Sequence, residues 1–301
     1  MHATGQNEQI MHKIIITGSS GRIGRALHWR LCRSYAVDGI DISPSSATSK
    51  IIDIRDYASL PGIFEGADTI FHSAALHAPH VGIFSAKDFY DINVSGTENI
   101  CKAALEAGVS QIIFTSTTAL YGYANYGQEK AVWVNEQTLP QPKTIYHKTK
   151  LEAENLLKAY AGNRLSISVI RMSRCFPEPA QMMAVYRLHR GVDYRDVAEA
   201  HLLAGLLKEK KNFDIYVISG NTPFLDSDCR LLFENPESVI RERHPLLAKE
   251  FDNRNWRFPD SIDRVYDSSY AEQILGWRAK RGPLEVLKQF DNGDFEILPP
   301  L

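Results

Sequence analysis

Short apolar runs alternate with amphipathic stretches along the first two-thirds of the chain. Ile14 to Ile16 form an all-apolar run, the pattern of a strand buried on both faces. A glycine-rich stretch follows. Ile23, Ala26, Leu27, Arg30 and Leu31 then fall at helical spacing, with the apolar members on one side. Further strand candidates are AVDGIDI, ADTIFHSAA, QIIFTST, SISVIR and DIYVISG, and helical patterns over 87–107 and 146–160 separate most of them. Strands alternating with helices predict right-handed crossovers and a parallel sheet. The C-terminal third changes character. NPESVIRERHPLLAKEF and SYAEQILGWRAKRGPLEVLKQF predict short helices with irregular connections, and Pro283 suits a first helical turn. The expected fold is α/β: a Rossmann-type doubly wound parallel sheet with helices on both faces and a small, mostly helical C-terminal part. We divide the chain into a polar tail (1–11), a dinucleotide-binding domain (12–172) and a substrate-binding part (173–301), with 190–220 returning to the core.

Composition narrows the classes. The 301 residues are 44% hydrophobic and 23% charged, as in ordinary globular proteins. A net charge of -2 argues against a general nucleic-acid binder. No apolar run approaches the roughly 20 residues of a membrane-spanning helix, so no membrane partner is expected. The opening MHATGQNEQIMH holds no signal-peptide hydrophobic region. Cys32, Cys101, Cys175 and Cys229 are widely spaced without a C-x-x-C pair. A reduced, cytoplasmic protein without a metal site is the expectation.

TGSSGRIG, residues 17–24, places Gly18, Gly21 and Gly24 at G-x-x-G-x-x-G spacing around Ser20, Arg22 and Ile23. Glycines let the backbone turn tightly and approach a pyrophosphate, while the helix N-terminus supplies N–H donors and positive potential. A structural strand-to-helix turn is the alternative. Asp41 ends the second predicted strand, where an acid can accept from both adenosine ribose hydroxyls and would repel a 2′-phosphate. Ile42 and Ser43 follow it, so no adjacent arginine is available for such a phosphate. NAD is therefore favoured over NADP, a solvated strand-end aspartate being the bland alternative.

Tyr146 and Lys150 stand four apart in YHKTK and so share a helix face. An ammonium beside a phenol favours phenolate and lowers its pKa. Upstream, one predicted strand ends in four hydroxyl residues, Thr115, Ser116, Thr117 and Thr118, any of which could hydrogen-bond a substrate oxygen beside the tyrosine.

Taken in order, TGSSGRIG, DIRD (53–56), HSAA (72–75), NVSGT (93–97) and STTALYG followed by YHKTK resemble the extended short-chain dehydrogenase/reductases, the NAD-dependent epimerase/dehydratase family. The resemblance covers about 14–201, with a weaker ILGW element ending at Trp277. It implies Tyr146 as general acid/base, Lys150 binding the nicotinamide ribose and tuning the tyrosine, and Thr117 as the catalytic hydroxyl. It also implies Asp53 and Ile54 facing adenine, and Ser73, Ala74 and Ala75 beneath the cofactor. Asn93 would support the site's hydrogen bonds at the cofactor, and Phe176 with Pro177 would lie beside the carboxamide. The implied chemistry is hydride transfer to or from nicotinamide, and the implied assembly is a homodimer through helices at about 88–107 and 146–160.

The substrate half departs from the commonest pattern. Relatives acting on nucleotide-linked sugars usually carry a long insertion before a V-x-D-x-A element; here only a short stretch separates Arg171 from YRDVAEAH (194–201). Cys175 to Pro179 reads C-F-P-E-P, which resembles the uronate dehydrogenase branch. In that branch an arginine soon after this motif grips the substrate carboxylate, but Met183 stands at about that place. Arg174, Arg187 or Arg190 could substitute. His77 and His80 follow the HSAA strand where the family's loop borders substrate. Substrate contacts are thus expected from His77, Ser116, Thr118 and Arg174. The leading expectation is an NAD-dependent oxidoreductase acting on a carbinol of a small sugar-like substrate. The alternatives are an NAD-dependent sugar epimerase or dehydratase, and a non-catalytic dinucleotide sensor.

Overall fold

β-branched and aromatic side chains fit a pleated surface covered on both sides, and here they fill it. Ile15, Ile16, Ile70, Phe71, Ile112, Ile113, Val169 and Ile170 are almost wholly buried. In a computed structural model describing residues 13–124 and 129–300, seven strands form the sheet. They are β1 (Lys13–Thr17), β2 (Ala36–Asp41), β3 (Lys50–Ile51), β4 (Thr69–His72), β5 (Gln111–Thr117), β6 (Ser166–Met172) and β7 (Phe213–Ile218). Every pairing is parallel, in the order β3-β2-β1-β4-β5-β6-β7. The sheet is the predicted Rossmann-type one. Strand order reverses between β1 and β4, which opens a crevice beyond their carboxyl ends.

Amphipathic helices cover both faces. On one, α1 (Arg22–Leu31) contributes Leu27 and Leu31 to a cluster with Phe71, Ile113, Val197 and Trp277. On the other, α2 (Gly96–Glu106) and α3 (Ile145–Tyr160) bury Ile100, Ala153 and Leu157 against Ile15, Ile112 and Val169. The helix expected over 87–107 is not uniform: Ala86–Tyr90 passes into α2 through a π-helical turn, Asp91–Ser95. The extra residue of such a turn rotates the side chains that follow, and it carries Asn93 inward.

After β6 the chain leaves the sheet through α4 (Ala180–His189), then returns as α5 (Tyr194–Leu206) and β7. Short helices follow, including Pro236–Arg243, Pro245–Asn253 and Pro283–Asp291, with Pro283 in the first turn of the last. They share an apolar cluster with α4 that includes Met183, Leu188, Phe251 and Leu287. Trp277 anchors the ILGW element to α5 by donating from Nε1 to the Asp196 carbonyl at 2.9 Å. The Asp196 carboxylate in turn accepts from Lys280 and Arg281 backbone N–H groups at 3.1 and 2.9 Å.

A buried polar network joins β5, α3 and β6. The Glu154 carboxylate accepts from Arg171 Nη2 at 2.6 Å and from the Ser116 hydroxyl, and Arg171 Nη1 donates to the Tyr121 oxygen at 2.9 Å. Removing one partner of such a pair leaves an uncompensated buried charge. Glu154→Ala should therefore cost about 3–5 kcal/mol in urea unfolding, and adding Arg171→Met should recover much of that loss. A single-mutant cost near that of an ordinary surface change would refute this account.

Candidate active site

The ends of β1, β4, β5 and β6 open on a cavity of about 750 Å³, within the range of small-molecule sites. One half is built for close approach. Gly18 has φ +71°, and a Cβ added there would lie 2.5 Å from the Ala74 nitrogen. A Cβ at Gly24 would lie 2.0 Å from the Gly18 carbonyl oxygen. Only glycine allows the first loop to pass this near both the HSAA segment and its own helix. Gly21, Ser20, Arg22 and Ile23 also border the cavity.

Thr17 fixes the two strand ends. Its hydroxyl is 2.6 Å from His72 Nδ1, and His72 Nε2 is 2.9 Å from the Thr97 hydroxyl. Burial pushes the His72 pKa down to about 3, so the ring remains neutral and can donate from one nitrogen while accepting at the other. The Ser73 hydroxyl donates to the Thr17 carbonyl at 2.7 Å. Ser73, Ala74 and Ala75 consequently face the glycine loop across the cavity.

Asp41 reaches the cavity edge, where its carboxylate accepts from the Ser20 and Ser43 backbone N–H groups at 3.0 and 2.9 Å. Asp53 and Ile54 border the same end. Arg55, two residues beyond Asp53 and not singled out from the sequence, donates to Asp53 from Nη2 at 2.6 Å. That bond holds the Asp53 carboxyl below its ordinary pKa.

Asn93 requires a correction, because it does not border the cavity. Its amide nitrogen donates to the Leu76 carbonyl at 3.0 Å and the Thr149 hydroxyl at 3.1 Å, while its oxygen accepts from Leu76 N at 2.8 Å. The π turn points it at the loop after β4 and at α3, so it supports the cavity floor rather than meeting a ligand.

The four strand-end hydroxyls separate by direction. Thr115 lies 2.8 Å from His201 Nε2, and Ser116 donates to Glu154. Ser116, expected at the substrate, borders the cavity while its hydroxyl is bonded into the buried network. Thr118 borders the cavity but is almost wholly buried. Thr117 borders the cavity with Tyr146, and its hydroxyl accepts from the Ala119 backbone N–H at 3.1 Å.

Tyr146 and Lys150 both border the cavity from α3. Burial pushes the Tyr146 pKa up to about 12, and the nearby Thr117 hydroxyl opposes the shift by favouring phenolate. A neighbouring ammonium alone would have moved it the other way. Lys150 is 3% exposed. Its Nζ donates to the Thr115 carbonyl at 2.7 Å and lies 3.7 Å from the Phe114 ring centroid. Burial pulls its pKa down to about 7, with the Glu154 charge one turn along opposing the shift.

The other half of the cavity is aromatic and cationic. His77 stacks on Phe176 with centroids 5.8 Å apart, and its ring lies 4.4 Å from that of His80. Burial, then the His80 charge, lowers the His77 pKa to about 4, which leaves it neutral near pH 7. Arg174 borders the cavity and is ion-paired with Glu178. Met183 is packed in the C-terminal cluster, and Arg187 is buried against Asp193 at 3.2 Å; neither borders the cavity. Arg264 and Tyr266 do. They come from a three-residue strand, Arg264–Tyr266, paired with Val132–Val134, and no local pattern in the sequence marks them. Among the described residues no group of three or more His, Cys, Asp or Glu could hold a metal ion. No described helix is long and apolar enough to cross a membrane.

A dinucleotide-sized cleft thus adjoins a half-buried tyrosine, a threonine and a buried lysine on one wall, which suits proton transfer at a ligand oxygen. The model of the NAD dependent epimerase/dehydratase family matches residues 14–184. An undecaprenol-linked N-acetylglucosaminyl-diphosphate 4-epimerase of Escherichia coli O157:H7 is 30% identical over 171 residues, covering 55% of this chain and 49% of that protein. An L-arabinose 1-dehydrogenase (NAD(P)(+)) of Haloferax volcanii is 29% identical over 171 residues, covering 54% of this chain and 66% of that one. The chain therefore matches about half of one relative's length and about two-thirds of the other's. A solved mutated uronate dehydrogenase shares the fold, with TM-score 0.65 at 16% identity over 96% of this chain and 89% of that one.

Proposed function

This chain belongs to the NAD-dependent epimerase/dehydratase family, and from that premise we propose that it is an NAD-dependent oxidoreductase. Its reaction moves hydride between a carbinol of a small sugar-like substrate and the nicotinamide. The observation that carries this reading is that Thr117, Tyr146 and Lys150 together line a glycine-walled cleft, with Lys150 one helical turn from Tyr146.

The cleft suits NAD because Gly18 and Gly24 leave no room for a side chain and because an acid, Asp41, stands at the β2 end. In this reading the backbone of residues 20–24 takes the pyrophosphate, Asp41 the adenosine ribose, and Asp53 and Ile54 the adenine side. Ser73 to Ala75 run beneath the cofactor, Phe176 lies by the carboxamide, and Lys150 takes the nicotinamide ribose. NAD supplies the hydride acceptor. Thr117 holds the substrate oxygen, and Tyr146 Oη takes the carbinol proton in oxidation and returns it in reduction. Lys150, with a pKa near neutrality, exchanges a proton with the phenol. His77 and Arg174 face the remaining substrate groups.

Oxidation is favoured over epimerisation by the compact connection after β6. The single helix α4 fills the space between β6 and α5, which leaves little chain to grip a nucleoside diphosphate. Similarity to a lipid-linked sugar 4-epimerase supports the second reading, in which NAD is regenerated each cycle. A non-catalytic dinucleotide sensor would have no use for the retained Thr117, Tyr146 and Lys150. A cytoplasmic homodimer through α2 and α3 completes the proposal, and its mass can be read by light scattering.

The test is purified protein with NAD and a panel of sugars, uronates and polyols, followed at 340 nm, with bound cofactor measured beforehand. Net NADH is expected. Isomerised sugar without NADH, from protein that arrives loaded with cofactor, would replace this reading with the epimerase. No turnover of either kind would sink both.

A further inference from the structure

We propose that Glu154 is a positioning residue for the reaction: from one helical turn beyond Lys150, its carboxylate keeps the Lys150 ammonium charged and seated against the end of β5. This inference rests on the oxidoreductase reading, in which Tyr146 and Lys150 handle the proton. It adds a third member of α3 that acts only through the lysine.

Tyr146, Lys150 and Glu154 follow one another at four-residue spacing on α3, so they share one face of the helix. That face meets the last residues of β5. Lys150 Nζ donates to the Thr115 carbonyl at 2.7 Å, and the Glu154 carboxylate accepts from the hydroxyl of the next residue, Ser116. Thr117, next again, borders the cavity with Tyr146. Two bonds to consecutive strand residues therefore fix the height at which the helix presents its lysine and tyrosine.

Glu154 is itself held. Arg171 on β6 donates to it from Nε at 3.1 Å and from Nη2 at 2.6 Å, while Arg171 Nη1 is spent on the Tyr121 oxygen at 2.9 Å. Ser116, Lys150, Glu154 and Arg171 are all buried, where water does little to screen one charge from another. A buried ammonium with one carbonyl partner tends to lose its proton. Burial does pull Lys150 down, and the Glu154 charge opposes that pull.

The other titratable groups around the lysine are neutral near pH 7. Burial, then the Lys150 charge itself, lowers His72 on β4 to about 3. Burial lowers His201 on α5, which meets the Thr115 hydroxyl, to about 4. It raises Tyr121 and Tyr146 to about 12. That leaves Glu154, with Arg171 behind it, to set the field at the ammonium. Arg171 offsets part of that field, but it reaches the lysine from another strand, whereas Glu154 stands on the lysine's own helix.

The experiment compares melting temperatures of cofactor-free proteins in pairs that differ only by Lys150→Met, from pH 5 to pH 10. The difference within a pair begins to climb where the folded lysine gives up its proton. With wild-type Glu154 the climb should begin near pH 7. Glu154→Gln keeps the shape and removes the charge. Its climb should begin roughly 1 pH unit lower, the low end of what an opposite charge a few ångströms away provides. Glu154→Asp, shorter but charged, should stay nearer wild type. Should Glu154→Gln strand the Arg171 charge and fail to fold, Glu154→Gln combined with Arg171→Met should still begin below wild type. With any substrate that yields NADH, the limb of the kcat profile that reports Lys150 should move down in step. An unchanged onset in Glu154→Gln, or one that Glu154→Asp disturbs more, would reduce Glu154 to a packing role and overturn the proposal. Melting needs no substrate, so the two layers separate. A lowered onset in a protein that makes no NADH would remove the oxidoreductase reading and leave the hold of Glu154 on Lys150 standing.

Discussion

Tyr146→Phe is expected to lower kcat by roughly 10²- to 10⁴-fold, the usual contribution of a positioned acid–base group, while dinucleotide affinity stays nearly unchanged. Phenylalanine keeps the ring that packs edge-on against His147 at 5.8 Å and removes only the phenol oxygen. The pH profile adds an independent check. Because burial pushes the phenol up to about 12, the phenolate is scarce at neutral pH in the unliganded protein. Oxidation by the wild type should therefore speed up as pH rises, and reduction should slow. Residual Tyr146→Phe activity should lack that dependence. Turnover by the variant within tenfold of wild type would remove Tyr146 from its assigned role.

What could be read before the fold was known follows from the range of the interactions involved. The isoleucine runs and the helical spacing of 146–160 are local patterns, and they placed β1, β5 and α3. The glycine loop is local in part: Gly18 has positive φ in its own turn and Gly24 packs on the Gly18 carbonyl, although Gly18 is also crowded by Ala74 from the next strand's end. The hydroxyl run 115–118 could not be sorted from spacing. Its members part company over His201, Glu154 and Tyr146, which lie on two different helices. The NVSGT resemblance sets Asn93 at the cofactor, whereas its amide is spent on Leu76 and Thr149 behind the cavity wall, partners that only the fold brings together. Arg264 and Tyr266 were invisible for a different reason. Three residues have no usable periodicity, and the partner strand Val132–Val134 lies far away in sequence. Composition of the C-terminal third shows many arginines; only the fold selects which of them faces the cavity.

Lys150→Met should abolish most turnover and also change how stability responds to pH, two effects with separate origins. The ammonium is buried against Phe114, with one carbonyl bond at 2.7 Å, and burial pulls its pKa from 10.5 to about 7. In the unfolded chain the lysine keeps its ordinary value near 10.4. Between about pH 7 and 10.4 the unfolded state thus binds a proton that the native state has released, so this residue makes stability rise with pH across that window. Below pH 7 both states are protonated and its contribution is flat, at its least favourable. Methionine fills similar space without a charge to desolvate. The melting temperature of cofactor-free wild type, measured relative to Lys150→Met, should therefore climb from pH 7 to pH 10 and stay level from pH 5 to pH 7. Other titrating groups cancel in that difference. Parallel melting curves for the two proteins across the alkaline range would show that the lysine is not held against its charge. In that case its assigned proton exchange with Tyr146 near neutral pH would lose its basis.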